Sequence, residues 1–184
     1  SGQWTQRPSN IKGKDLSRST LGIIGLGNIG ISISRRARAF GMTVLYNNRH
    51  KRPDDSLYMV EYRDRDALYA ESDVVLVVTP LTPETYHMID KEAFKKMKKD
   101  ALFVNVGRGK IVDTDALVWA LNEGEIEYAA LDVTDPEPLP GDHPLLKTGK
   151  VLVVPHIASF TDRTRRDMAM LTADNIILGL QGKP

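Results

Sequence analysis

The 184-residue chain contains no cysteine, which excludes a disulfide framework and thiolate chemistry and fits a reducing compartment such as the cytoplasm. It has no apolar run long enough to span a bilayer and no secretory signal pattern, so no membrane partner is expected. Neither sign of charge dominates: 25 Lys and Arg oppose 24 Asp and Glu, a formal net charge of +1, with no bulk attraction to nucleic acid. No cluster of His, Asp and Glu has metal-ligand spacing, and no metal is expected. Internal repeats are also missing. Proline and glycine concentrate in one stretch, DPEPLPGDHP at 135–144, which reads as a long rigid loop.

What is present is an alternation of short apolar runs with longer helical patterns. The runs TLGIIG (20–25), TVLYN (43–47), DVVLVV (73–78), ALFVNV (101–106), YAALDV (128–133) and VLVVP (151–155) are almost unbroken in hydrophobicity, as strands covered on both faces of a parallel sheet would be. Helices are expected at about 28–40, 64–71, 90–98, 113–122 and 161–180. The fourth has good entry chemistry: Asp113 or Thr114 can cap it, Ala116, Leu117, Ala120 and Leu121 recur at helical spacing, and Gly124 supplies a stop. The pattern predicts an α/β fold, a doubly wound parallel sheet of about six strands, with ligands at the carboxyl ends of the strands.

The first chemical motif is GIIGLGNIG. Gly25, Gly27 and Gly30, with Asn28 and Ile29 between them, follow a strand and open a helix, the context a dinucleotide-binding turn requires. Gly25 permits the tight turn, Gly27 lets backbone approach a pyrophosphate, and Gly30 lets helix pack on strand, leaving the diphosphate to the free N–H groups at the helix start. A chain of this length can bury one sizeable core, so residues 1–184 are expected to form a single Rossmann-type dinucleotide-binding domain.

One further absence is local. Eighteen residues past Gly30, where an NAD-binding domain places an acid on the adenosine ribose, the strand VLYNN ends in Asn48 followed by Arg49, with Arg52 close behind. An acid there would bond the 2′-hydroxyl of NAD and repel a 2′-phosphate, whereas Arg49 would pair with the phosphate through a charge-assisted fork. NADP is therefore the expected cofactor, with NAD use still open. The bland alternative is that NNRHKR is a solvated loop, to which His50 belongs.

Four more motifs lie at strand ends: VTPLTPET (78–85), NVGRG (105–109), LDVTDPEP (131–138) and VPHIAS (154–159). In order and spacing they resemble the cofactor domain of the D-isomer-specific 2-hydroxyacid dehydrogenases, and among these the glyoxylate/hydroxypyruvate reductases, over nearly the whole chain from Trp4 to Pro184. The resemblance implies that Arg108 holds the substrate's carboxylate and carbonyl, that Glu137 pairs with His156, and that His156 is the acid/base. It also implies cofactor contacts at Thr79, Pro80, Thr85, Val106, Gly107, Arg108, Asp132, His156 and Ser159. The chemistry suits these residue types. Hydride addition to a 2-keto acid leaves an oxygen that must gain a proton, which a His near its pKa can supply, and a guanidinium can fork onto a planar carboxylate. Arg108, Glu137 and His156 are 29 and then 19 residues apart, but each follows a different strand of one sheet.

Taken singly, Arg108 also reads as a turn residue between glycines, Glu137 as a loop charge and His156 as a structural histidine. Asp132 either faces the cofactor's carboxamide or caps its strand end. His87 and His143 have no such motif partner; the first is expected to pack beside TPET and the second to hold the proline loop. The family's leading segment of roughly 100 residues and its C-terminal return, which build the substrate domain, have no counterpart here. The polar opening SGQWTQRPSN and the end at GLQGKP, directly after an apolar helical pattern, read as an excised domain. The opening resembles the segment that leads into the family's dimer contact, with Trp4 as a candidate interface residue, so a homodimer is expected. The resulting expectation is an oxidoreductase domain moving hydride between NADP(H) and a small 2-keto or 2-hydroxy acid such as glyoxylate or hydroxypyruvate. Two rival readings are a dinucleotide-sensing regulator, like the corepressors of the same family, and a domain that only binds nucleotide.

Overall fold

The structure, a computed structural model, describes residues 13–183. Trp4 lies outside the described residues. Seven parallel strands form one sheet in the order β3-β2-β1-β4-β5-β6-β7: β1 Thr20–Ile24, β2 Thr43–Asn47, β3 Glu61–Tyr62, β4 Val74–Val77, β5 Leu102–Asn105, β6 Tyr128–Leu131 and β7 Val151–Val153. The direction of strand addition reverses between β1 and β4, which makes the crevice beyond their carboxyl ends the natural ligand position. The helices are α1 Asn28–Ala39, α2 Arg65–Glu71, α3 Lys91–Lys96, α4 Thr114–Glu123, α5 Pro144–Lys147 and α6 Asp162–Leu180.

The expected elements form for the expected reasons. Asp113 caps α4 by accepting from the Ala116 N–H at 3.1 Å. Ala116, Leu117, Ala120 and Leu121 are all buried on one face, and Gly124 ends the helix in the left-handed conformation at φ 70°. Two apolar clusters flank the sheet. On one side α2, α3 and α4 pack Leu68, Phe94 and Leu117 over β4 and β5; on the other, α1 sets Ala37 against Ile23 and Tyr46. Phe94 meets Phe103 edge to face, ring centroids 5.3 Å apart, an arrangement worth about 0.5–1.5 kcal/mol beyond its burial.

Two departures from the sequence pattern matter. A seventh strand, β3, is two residues long and pairs with Leu45 and Tyr46 of β2. The proline-rich loop also ends in the short α5, where Pro144 stands in the first turn and His143 accepts from the Leu145 N–H at 3.1 Å, the holding role expected of that histidine. The prediction of burial on both faces holds for β1 and β4 but not for β5 and β6, whose residues alternate between buried and partly or fully exposed, nor for β7, which buries none of its residues. α6, which follows β7, buries none of its residues and so adds no cover to the sheet. Leu152 of β7 is 63% exposed.

Candidate active site

The glycine turn joins β1 to α1. Gly25 has φ +106°, and a Cβ there would come within 2.9 Å of the Thr79 backbone N, so only glycine serves this turn against the end of β4. A Cβ on Gly30 would stand 2.5 Å from the Gly25 carbonyl oxygen, which explains how α1 packs so closely on the strand. Gly27 has open space around its Cβ position. It is also the N-cap of α1 and offers no side-chain acceptor, and the first turn carries no acid. In α2, α3, α4 and α6, by contrast, Asp64, Asp90, Asp113 and Thr161 cap the first turn and an acid sits within it. At α1 the N–H groups and positive dipole end therefore remain for an anion. Asn28 and Ile29 flank this opening, both exposed.

Beside the turn lies a cleft of about 580 Å³ lined by Gly25, Asn48, Arg49, Arg65, Thr79, Pro80, Glu84 and Thr85, among others. Asn48 ties the end of β2 to the glycine turn, its Oδ1 accepting from the Leu26 N–H at 2.6 Å. Arg52, the second cation of the stretch, is occupied: its guanidinium forks onto Asp54 at 2.7 and 2.8 Å. Arg49 reaches across the cleft toward Glu84, with Nη2 to Oε2 at 3.7 Å. Glu84 is held below the usual carboxylate range, first by the Thr82 hydroxyl at 2.7 Å, then by its own backbone N–H and by Arg49. Thr85 knots the same turn, its hydroxyl donating to the Pro80 carbonyl at 2.8 Å. His87 stacks on Tyr86 with centroids 4.0 Å apart, as a packing residue should.

At the other end of the sheet, Arg108 follows β5, Glu137 follows β6 and His156 follows β7, and these three strands are neighbours. Asn105 at the end of β5 shapes the NVGRG turn: its Oδ1 accepts from Gly107 N–H and its Nδ2 donates to the Arg108 carbonyl, both at 3.0 Å. The exposed Arg108 side chain donates to the Gly107 carbonyl at 2.6 Å. His156 Nδ1 and Glu137 Oε1 are 2.7 Å apart, so the pair implied by the resemblance is formed. A cavity of about 470 Å³ opens over Asp132, Glu137, Pro138 and His156.

His156 has φ 53°, a left-handed backbone that costs a non-glycine residue about 1–2 kcal/mol. Asp132 stabilises it. Buried at the end of β6, its carboxylate accepts from the Ile157 N–H at 2.7 Å and from the Ala158 N–H at 3.1 Å, clamping the two residues that follow the histidine. Asp132 thus ties the end of β6 to the loop after β7, and it also lines the cavity at His156. Val106 lies with Asp132 in a small apolar groove of about 210 Å³, and Ser159 is exposed three residues beyond His156.

Arg65 and Glu84 are among the cleft residues not singled out from sequence. Arg65 arrives there because the two-residue β3 turns the chain back toward the strand ends, a strand too short to leave a periodic signal. Glu84 stands inside the TPET motif, and only the fold shows that it faces Arg49.

The sequence model of the family described as "D-isomer specific 2-hydroxyacid dehydrogenase, NAD binding domain" matches residues 1–158. Glyoxylate/hydroxypyruvate reductase B of Escherichia coli is 46% identical over 185 residues, covering 99% of this chain and 57% of that protein. Among solved structures, the TT0316 protein of Thermus thermophilus superposes with TM-score 0.90 at 42% identity, over 99% of this chain and 57% of its own. D-lactate dehydrogenase of Aquifex aeolicus, solved with NAD and lactic acid, superposes with TM-score 0.87 at 34% identity, over 97% of this chain and 58% of its own. This chain therefore spans somewhat more than half the length of the proteins it matches.

Proposed function

Because the chain belongs to the D-isomer specific 2-hydroxyacid dehydrogenase family, we propose that it is the cofactor-binding part of an oxidoreductase moving hydride between NADP(H) and a small 2-keto or 2-hydroxy acid, with glyoxylate and hydroxypyruvate the first substrates to try. The observation that carries this reading is the 2.7 Å pairing of His156 with Glu137 on the sheet edge that also presents Arg108. The residues fit a dinucleotide: α1 is uncapped beside a glycine with open space at its Cβ, and the adjoining cleft leads to cations at the end of β2. Arg49 favours a 2′-phosphate. NAD itself is the second reading, favoured by the NAD bound to the Aquifex relative.

When bound, the reduced nicotinamide supplies hydride to the substrate's carbonyl carbon. Arg108 holds the carboxylate with its planar fork and polarises the carbonyl. Glu137 engages Nδ1 of His156, so Nε2 is the atom that faces the substrate and delivers the proton to the new hydroxyl. Glu137 also fixes the ring's orientation. Both side chains are about half exposed, as they would be if a segment outside this chain completed the pocket. We place the enzyme in the cytoplasm as a homodimer, the half-open sheet face being available for subunit contact.

The test is oxidation of NADPH and NADH with a panel of 2-keto acids by the chain completed to its relatives' length. His156→Ala is expected to lower turnover on the order of 10²–10⁴-fold with little change in dinucleotide affinity. Near-normal turnover in that variant would remove the histidine from the chemistry. Absence of any keto-acid reduction by the unmodified enzyme, with dinucleotide binding intact, would favour the regulatory reading.

A further inference from the structure

The cations around the adenosine end of the cleft are not equivalent. Arg52 is forked onto Asp54 at 2.7 and 2.8 Å, and Lys51 leans toward Asp55 at 3.7 Å. Among the described residues, Arg49 and Arg65 are the two basic residues that line the cleft. They arrive from different elements, the end of β2 and the first turn of α2. The acids flanking Arg65 are engaged elsewhere: Asp64 caps α2 by accepting from the Ala67 N–H at 2.9 Å, and Asp66 pairs with Lys96 at 2.7 Å. No ion pair is formed by Arg65 among the described residues. The remaining acid of the cleft, Glu84, faces Arg49 at 3.7 Å while its own oxygen is held by Thr82.

We infer that the ribose 2′-phosphate is received by a two-arginine seat formed by Arg49 and Arg65, and that Glu84 is the counter-ion the phosphate displaces from Arg49. This rests on the NADP reading above. A phosphomonoester carries close to two negative charges at neutral pH and three acceptor oxygens, enough for two guanidinium groups approaching from different sides. NADH has only hydroxyls at that position. Glu84 then acts as a specificity element of opposite sign to the arginines: it neutralises Arg49 when no phosphate is present and repels the phosphate as it enters. The Arg49–Glu84 pair is 73% and 67% exposed and long, so it opposes entry only weakly.

Fluorescence titration of the chain with NADPH and with NADH tests the seat without any catalytic readout. Arg65→Ala is expected to weaken NADPH on the order of tenfold while NADH stays within about twofold. Glu84→Gln, which keeps the Thr82 hydrogen bond, is expected to strengthen NADPH roughly two- to fivefold and leave NADH unchanged. Both effects should contract at high salt. An unchanged NADPH-to-NADH affinity ratio in Arg65→Ala, with Arg49→Ala lowering that ratio, overturns the two-arginine seat and leaves the NADP reading standing. An Arg49→Ala change that weakens both cofactors alike overturns the NADP reading and the seat together. If Glu84→Gln leaves or lowers the ratio, the counter-ion role is wrong. Should Arg65→Ala lose both cofactors, Arg65→Gln decides: equal loss there also overturns the seat.

Discussion

Asp73 joins three elements through one carboxylate. Its Oδ2 accepts from the Thr20 N–H at 2.8 Å at the start of β1, and its Oδ1 from Lys98 Nζ at 2.9 Å beyond α3. Partial burial pushes the acid up, but the Thr20 amide and the Lys98 ammonium outweigh it, and Asp73 ends below the usual carboxylate range. A carboxylate depressed in the folded state stabilises it above the unfolded pKa of about 3.9, and that stabilisation is lost as pH falls through the lower folded value. Asp73→Asn should therefore cost about 1–3 kcal/mol at neutral pH. The gap to the unmodified protein should close only below about pH 4, and denaturant titrations at several pH values would show it. A constant gap down to pH 2 would mean that packing, not charge, explains the cost.

At the scale of elements, the β1–α1 unit shows why one glycine motif serves both fold and site. Gly30→Ala sets a methyl 2.5 Å from the Gly25 carbonyl, and backbone on both sides cannot yield as a flexible side chain would. The helix start must move away from the strand, which costs about 1–3 kcal/mol as overpacking does and displaces the N–H groups that face the diphosphate. NADH and NADPH should weaken together, on the order of tenfold or more, while the NADPH-to-NADH ratio stays fixed. A shift in that ratio would show that Gly30 acts on the ribose end instead.

Local patterns make most of this architecture legible in the sequence. The strands β1, β2 and β4 to β7 announce themselves because each carries at least three apolar residues within four positions, and α4 because its cap, stripe and stop agree. The placement of Arg108, Glu137 and His156 beyond the ends of neighbouring strands could be anticipated from motif order, since each stands within six residues of its strand. Arg65 could not. Its position depends on β3, two residues that pair with β2 and are too short to leave a hydrophobic period. Asp132's grip on Ile157 and Ala158 was open to the eye only as one of two roles, because a bond to amides 25 and 26 residues away requires knowing that β6 and β7 are neighbours.

For the whole molecule, the uneven cover of the sheet decides which parts are stable. β1 and β4 lie between two apolar clusters, whereas α6 runs 19 residues without a buried side chain and exposes Met168, Leu171, Ile176 and Leu178. A helix that buries nothing depends on propensity alone, and at this length that support is marginal in water. Opening of α6 should therefore cost close to nothing, while amides of β1 and β4 exchange only through global unfolding. In dilute chain, hydrogen–deuterium exchange over 165–180 should run within about tenfold of the unprotected rate. Removing residues 162–184 should move the melting midpoint by less than about 2 °C, because little free energy of folding resides there. Raising the protein concentration separates two origins of any protection that does appear. Protection that grows with concentration means that the apolar side chains of α6 and the open face at Leu152 are covered by a second copy. Strong protection that persists at high dilution would instead contradict the picture of α6 as an unsupported helix in the isolated chain.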